Sequence, residues 1–145
     1  MSETAGTPDP EVLQAIADRV ADSTFHRWAG LDVTRVAAGE VDVALDVTEH
    51  HLNLIGLLHG GMIATIADTA MGLALRTMLP EGASHVTVQL NIHFLSPARS
   101  GRVLGLGRVV RSGRRMGYAE ADVVDREGKL LARASSTFIV LPASG

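Results

Sequence analysis

After Pro10, the apolar positions Val12, Leu13, Ile16, Ala17 and Val20 recur at helical spacing, which predicts an amphipathic helix over residues 11–27, closing near His26, that covers other structure. From Glu40 the period changes to two. Val41, Val43, Leu45 and Val47 alternate with Asp42, Ala44 and Asp46, the pattern of a half-exposed strand. Glu49 to Leu58 has no clean period and carries Asn53 and Gly56, so it reads as a loop leading into a helix near His59. The next strand alternates Val86, Val88, Leu90, Ile92 and Phe94 with Thr87, Gln89, Asn91 and His93 before Pro97 ends it. Val103 to Arg111, Tyr118 to Val124 and Leu130 to Val140 supply three more strands, with a turn at Asp125 to Gly128.

One strand, one long apolar helix and four further strands predict an α+β domain whose antiparallel sheet curls around a central helix. At 145 residues the chain is read as a single domain over residues 1–145, with residues 1–10 as a polar, acidic tail. Aromatics are only 3% of a chain that is 46% hydrophobic, so the core falls to Val, Leu, Ile and Ala, with Gly allowing close backbone approaches. The absence of cysteine removes thiol nucleophiles, disulfides and Cys-based zinc sites, and fits a reducing cytoplasm. A net charge of −3 gives no basic field for nucleic acid. The N-terminus lacks the basic start and apolar run of a secretory signal. Leu54 to Leu75 is apolar enough to suggest a membrane span, but an Asp near its middle and its glycines fit a helix buried in a soluble oligomer better.

On a helical wheel, Ile63, Ile66, Ala67, Ala70, Met71 and Ala74 form one broad apolar face for the sheet. The opposite side carries Gly61, Ala64, Thr65, Asp68 and Gly72 where a surface helix would carry Lys and Glu. Small residues invite close approach of another backbone, and a second copy of the chain is the economical source, which predicts a homodimer with paired central helices. A carboxylate on such a covered face is costly unless it is partnered or used. Asp68 is therefore the leading candidate for chemistry, with a structural hydrogen bond as its bland alternative. His59, Gly60 and Gly61 open the same helix, where backbone N–H groups and the positive end of the helix dipole can polarise an electron-rich oxygen. Gly60 and Asp68 lie about 12 Å apart along one helix, so a single carbonyl requires Gly60 of one subunit and Asp68 of another on antiparallel helices.

The run Asn53-Leu54-Ile55-Gly56-Leu57-Leu58-His59-Gly60-Gly61, followed by Ala67-Asp68-Thr69, resembles the hotdog thioesterases of the phenylacetate-pathway type. The likeness continues through Val86 to Ile92, Ser96-Pro97-Ala98 and Gly128 to Ala132, and covers roughly Leu31 to Leu141. The resemblance implies a hotdog fold, and an acyl-CoA thioesterase in which Asp68 acts as general base or nucleophile. It further implies that Gly60 N–H polarises the thioester carbonyl, Asn53 orients water or substrate, and the Thr87 hydroxyl places the water. Thr87 stands where some relatives carry Ser; both have a hydroxyl, and the added methyl crowds the pocket. His59 takes a positioning or structural role in this family more often than a proton-transfer role. Paired hotdogs in the family often assemble into tetramers.

Gly61 and Thr69 are candidate substrate contacts beside the reactive groups, and Arg99, Arg102, Arg111, Arg114 and Arg115 are candidate partners for coenzyme A phosphates, with solvated strand ends as their alternative. A metal site from His50, His51, His59 and Asp68 matches no known ligand spacing, so no metal or other cofactor is expected beyond the coenzyme A of the substrate. Two rival functions share the fold. A non-catalytic acyl-CoA sensor has no need of Asp68, Asn53 and Thr87 together, and the order of His59 and Asp68 fits hydrolysis better than a hydratase, which needs a paired Asp and His.

Overall fold

A computed structural model describes residues 9–144. Of the expected tail, residues 1–8 lie outside the described residues, whereas Asp9 caps the first helix and Pro10 opens it. Asp9 caps α1 (Pro10–Asp22) by accepting from Glu11 N–H at 2.9 Å, and Pro10 occupies the first helical position, where its missing N–H costs nothing. The single helix expected to reach His26 is in fact two. Ser23 is extended and caps α2 (Thr24–Ala29) by accepting from His26 N–H, so the chain turns at a residue whose hydroxyl competes with helix continuation. Ile16 and Val20 are the buried residues of α1, which packs on α2 and on the strand that follows it, Leu31–Ala37.

Among the described residues six antiparallel strands form one sheet: β1 (Leu31–Ala37), β2 (Glu40–Asp46), β3 (Ser84–Phe94), β4 (Arg102–Ser112), β5 (Met116–Asp125) and β6 (Leu130–Leu141). Their spatial order is β1-β2-β4-β5-β6-β3. The sequence pattern had missed β1. Its register slips between Val33 and Arg35 where it pairs with β2, and that irregularity throws Val36 out of phase with Leu31 and Val33. Ala44, read with the polar side of β2, is fully buried, as are Val41, Val43 and Leu45.

The sheet wraps α3 (Gly60–Arg76), which packs mainly on β4, β2 and β5. Ile63, Ile66, Ala67, Ala70, Met71, Ala74 and Leu75 of α3 are buried against Val103, Ala119, Ala121, Val123, Leu131 and Phe138. Each large apolar side chain fully buried in this way contributes about 1.5–3 kcal/mol. The helix sits directly on backbone at Gly107, where an added Cβ would lie 2.4 Å from the Ala70 carbonyl. Any side chain at 107 would push helix and sheet apart.

Candidate active site

The functional end of α3 is built by the loop that precedes it. A short 3-10 turn, Glu49–His51, follows β2, and the buried His51 clasps it in place: Nδ1 accepts from Thr48 N–H at 3.0 Å and Nε2 lies 2.7 Å from the Ala29 carbonyl. His51 is thereby committed to holding three segments together, and among the described residues no cluster of three His, Asp or Glu side chains has the geometry to hold a metal. The next turn is closed by Asn53 N–H bonding to Leu57 O at 2.7 Å, with Gly56 at φ +76, a conformation that favours glycine. The Asn53 side-chain oxygen accepts from Ile55 N–H and Leu57 N–H, both at 3.0 Å. This Asx-type turn consumes the carbonyl end of the amide and leaves the NH2 group as the end available to a substrate.

His59 forms the N-cap of α3. Its Nδ1 accepts from Gly61 N–H at 2.8 Å, and its backbone N–H donates to His51 O at 2.9 Å. The hydrogen bond fixes the ring orientation and leaves the proton of the neutral imidazole on Nε2. The expectation that both glycines present free N–H groups is corrected here: Gly61 N–H is already capped, whereas Gly60 N–H has no hydrogen-bond partner among the described residues. The Phe94 ring lies against Gly60, 3.3 Å from where a Cβ would stand. Gly60 thus presents a bare N–H at the positive end of a 17-residue helix, under an aromatic ring.

Two turns further on, Asp68 is half-buried and its Oδ1 accepts from the Thr87 hydroxyl of β3 at 2.9 Å. Oδ2 of Asp68 has no hydrogen bond or ion pair among the described residues. The sequence-derived pair Asp68 and Thr87 therefore meets within one chain, while Asn53, His59 and Gly60 gather at the helix N-terminus. Thr69 is half-buried beside Asp68. A depression of about 610 Å3 lined by Leu52, Asn53, Leu54, Ile55 and His59 opens at the N-terminal group. A second, of about 440 Å3 on the outer sheet face around Arg108, Tyr118, Glu120 and Arg133, holds none of the expected site residues.

The arginines are divided. Arg99 lies beside Gly56 at the N-terminal end of α3. Arg111, Arg114 and Arg115 are exposed on the β4–β5 hairpin, whose Gly117 packs on Leu75 at the other end of the helix. None of the four is ion-paired among the described residues, unlike Arg102, which bonds Asp46 at 3.0 Å. Gly72, read as part of the face awaiting a second copy, is covered from within the chain by His85 and Phe138. His85 drew no attention in the sequence because it falls on an alternating strand among exposed polar positions. Burial holds its imidazole below the ordinary value of 6.5; Arg76 adds to this, while the Gly72 backbone and the Asp68 charge pull the other way.

A curled antiparallel sheet around a long helix is an architecture shared with known proteins. Residues 55–132 match the thioesterase superfamily. The human protein named acyl-coenzyme A thioesterase 13 is 34% identical over 130 residues, spanning 88% of this chain and 90% of its own. A thioesterase family protein from Silicibacter pomeroyi superposes with a TM-score of 0.84 at 26% identity, covering 90% of this chain and 98% of that one. The E. coli PaaI protein from the phenylacetic acid degradation operon shares the fold with a TM-score of 0.84 at 22% identity, over 92% and 96% of the two chains. The chain belongs to the thioesterase superfamily and is a thioester hydrolase of the hotdog fold.

Proposed function

We propose that the chain hydrolyses acyl-CoA thioesters to the free acid and coenzyme A at a site shared between two subunits. The observation that carries this reading is the Asp68 carboxylate, held by Thr87 through one oxygen with the other unengaged. The thioester carbonyl rests on Gly60 N–H of one subunit, helped by the NH2 of Asn53. Asp68 of the other subunit, steadied by Thr87, takes the proton of water as it attacks, or attacks the carbonyl itself. The tetrahedral oxyanion collapses and the C–S bond breaks, coenzyme A leaving as the thiol with the proton that water gave up; where Asp68 itself attacks, water then hydrolyses the acyl–Asp68 anhydride to the free acid. His59 positions Gly61 and the helix start. Water and these side chains complete the reaction without a further cofactor.

The shared site rests on distance and on surfaces left uncovered. Gly60 and Asp68 are about 12 Å apart along one helix, too far to serve one carbonyl. Among the described residues β3 ends the sheet with an unpaired edge, and Val86 and Val88 on it are 47% and 54% exposed. Leu54, at the tip of the Asn53 loop, is fully exposed. A second copy seated on this side, with helices antiparallel, would cover these residues and bring the Arg111–Arg115 hairpin of one subunit toward the Asn53 loop of the other, within reach of coenzyme A phosphates. Gly61 and Thr69 then lie on the same subunit surfaces as Gly60 and Asp68, where they contact the bound substrate, and Arg99 flanks the loop. Pairs of dimers form the tetramer, and the enzyme acts in the cytoplasm. No helix among the described residues is long and apolar enough to cross a membrane.

A hydrolysis screen tests the proposal by following thiol release from acetyl-, phenylacetyl-, hydroxybenzoyl- and medium-chain acyl-CoA. Turnover on at least one acyl class is expected. Failure to release thiol from any of them, by protein that binds acyl-CoA, would leave the sensor reading in its place.

A further inference from the structure

His85 lies on β3 two residues before Thr87, on the same face of the strand, and both side chains point at α3. Along the helix, their counterparts Gly72 and Asp68 are also one turn apart, about 6 Å. The two pairs form successive rungs between helix and strand: Thr87 on Asp68, then His85 on Gly72. Glycine is what admits the ring, because a Cβ at 72 would stand 3.0 Å from His85 Cε1. Phe138 meets the ring edge to face at 5.1 Å between centroids. Nδ1 of His85 is buried and has no hydrogen-bond partner among the described residues. A buried polar atom without a partner is uncommon and calls for a reason.

We propose that His85 is a positioning residue for Asp68, one that leaves the carboxylate to Thr87 and water when neutral and competes for it when protonated. This rests on the reading of Asp68 as the reactive carboxylate. Among the described residues the charged groups acting on the imidazole are both on α3, Arg76, which opposes the proton, and Asp68, which favours it, and the Gly72 backbone also favours the protonated ring. β6 presents Phe138, and Val140 lies opposite His85 in the strand register, so neither neighbour there can pair with a charge. Among the described residues, the carboxylate that acts on an imidazolium formed in this socket is Asp68. Neutral His85 has no such claim, and burial keeps it neutral at ordinary pH. Turnover is expected to fall on the acid side as His85 takes up its proton.

Two measurements on the full chain test this. The first compares the pH profile of kcat for the native chain and His85→Asn, which keeps a polar planar group without a titrating one. The acid-side midpoint is expected to move down by about one pH unit or more in the variant; the same midpoint in both overturns the proposal. The second needs no activity, so it separates failure of this coupling from failure of the hydrolase reading, and it stands even if His85→Asn does not fold. The His85 ring is titrated by NMR in the native chain and in Asp68→Asn. Loss of the carboxylate charge is expected to lower the His85 midpoint by about half a pH unit. An unchanged midpoint would mean that the two groups do not interact, and would overturn the proposal.

Discussion

The hydroxyl of Thr87 donates to Oδ1 of Asp68 at 2.9 Å, tying β3 to the middle of α3. The bond leaves Oδ2 free and sets the direction in which it faces. Removing the hydroxyl should therefore release the carboxylate from its working orientation. Thr87→Ser keeps the donor and should stay active, whereas Thr87→Val, of the same shape, should lose about tenfold or more in kcat. Equal rates for the two variants would take Thr87 out of the site.

Asp68→Asn retains an oxygen that can accept from Thr87, so the fold and substrate binding should survive. The amide can neither take a proton from water nor attack a thioester. Turnover should drop about a hundredfold or more with little change in KM. Near-native turnover would remove Asp68 from the chemistry.

Asn53 has two jobs at opposite ends of one amide, and they can be separated. Asn53→Asp keeps an oxygen for Ile55 N–H and Leu57 N–H, so the loop and its thermal stability should persist while the donor to substrate is lost. Asn53→Ala loses the turn as well and should also destabilise the protein, by about 1 kcal/mol. If the Asp variant hydrolyses acyl-CoA as fast as the native chain, the amide NH2 has no part in binding the carbonyl.

Much of this site could be read from sequence because its parts announce themselves locally. Asp68 stands out as a lone charge on an apolar helix, and two adjacent glycines mark the helix start. What local pattern cannot convey is which hydrogen bonds are already taken. Nothing in His59-Gly60-Gly61 says that the imidazole caps Gly61 and leaves Gly60 bare, nor does Asn53 reveal that its oxygen closes a turn. His85 was invisible for a related reason: its importance comes from facing Gly72, a contact between residues that only the packing of β3 on α3 brings together. In the fold, the central helix and four of the six strands follow from periodicity, and β2 does too apart from the burial of Ala44. β1 does not, since its irregular register interrupts the two-residue alternation.

The stability of the chain should weaken as pH falls below about 6.5. Burial lowers the His85 and His26 imidazoles below that ordinary value in the folded state, so the unfolded chain binds their protons first. Stability is then fully present above 6.5, declines as pH falls through the folded midpoints and levels off beneath them for these groups. Asp122 behaves differently: its hydrogen bond to Arg133 lowers it, so its contribution holds above the ordinary 3.8 and is lost only in stronger acid. Denaturant unfolding at pH 7.5 and 5.5 should give a smaller difference for His85→Asn than for the native chain. An equal difference would mean that His85 does not titrate in this window.

The composite site makes the most exacting prediction, because it lets two inactive proteins restore each other. Asn53 and Gly60 belong to the N-terminal end of α3, and Asp68 to its middle, with about 12 Å of helix between Gly60 and Asp68. If each site draws the first two from one subunit and Asp68 from its partner, a dimer of one Asn53→Asp chain and one Asp68→Asn chain carries one doubly damaged site and one intact site. Both substitutions keep the structural hydrogen bond of the residue they replace, so the mixed dimer should assemble normally. Denaturing the two variants together in equal amounts and refolding them should make about half the dimers mixed, if subunits pair at random. Recovered activity should then approach roughly a quarter of native, one working site in two across half the molecules. Mass spectrometry would establish that mixed dimers had formed. Were they present but inactive, Asn53 and Asp68 would have to serve a site within one chain, and the 12 Å between Gly60 and Asp68 would need a substrate bound along the helix rather than across a pair of them.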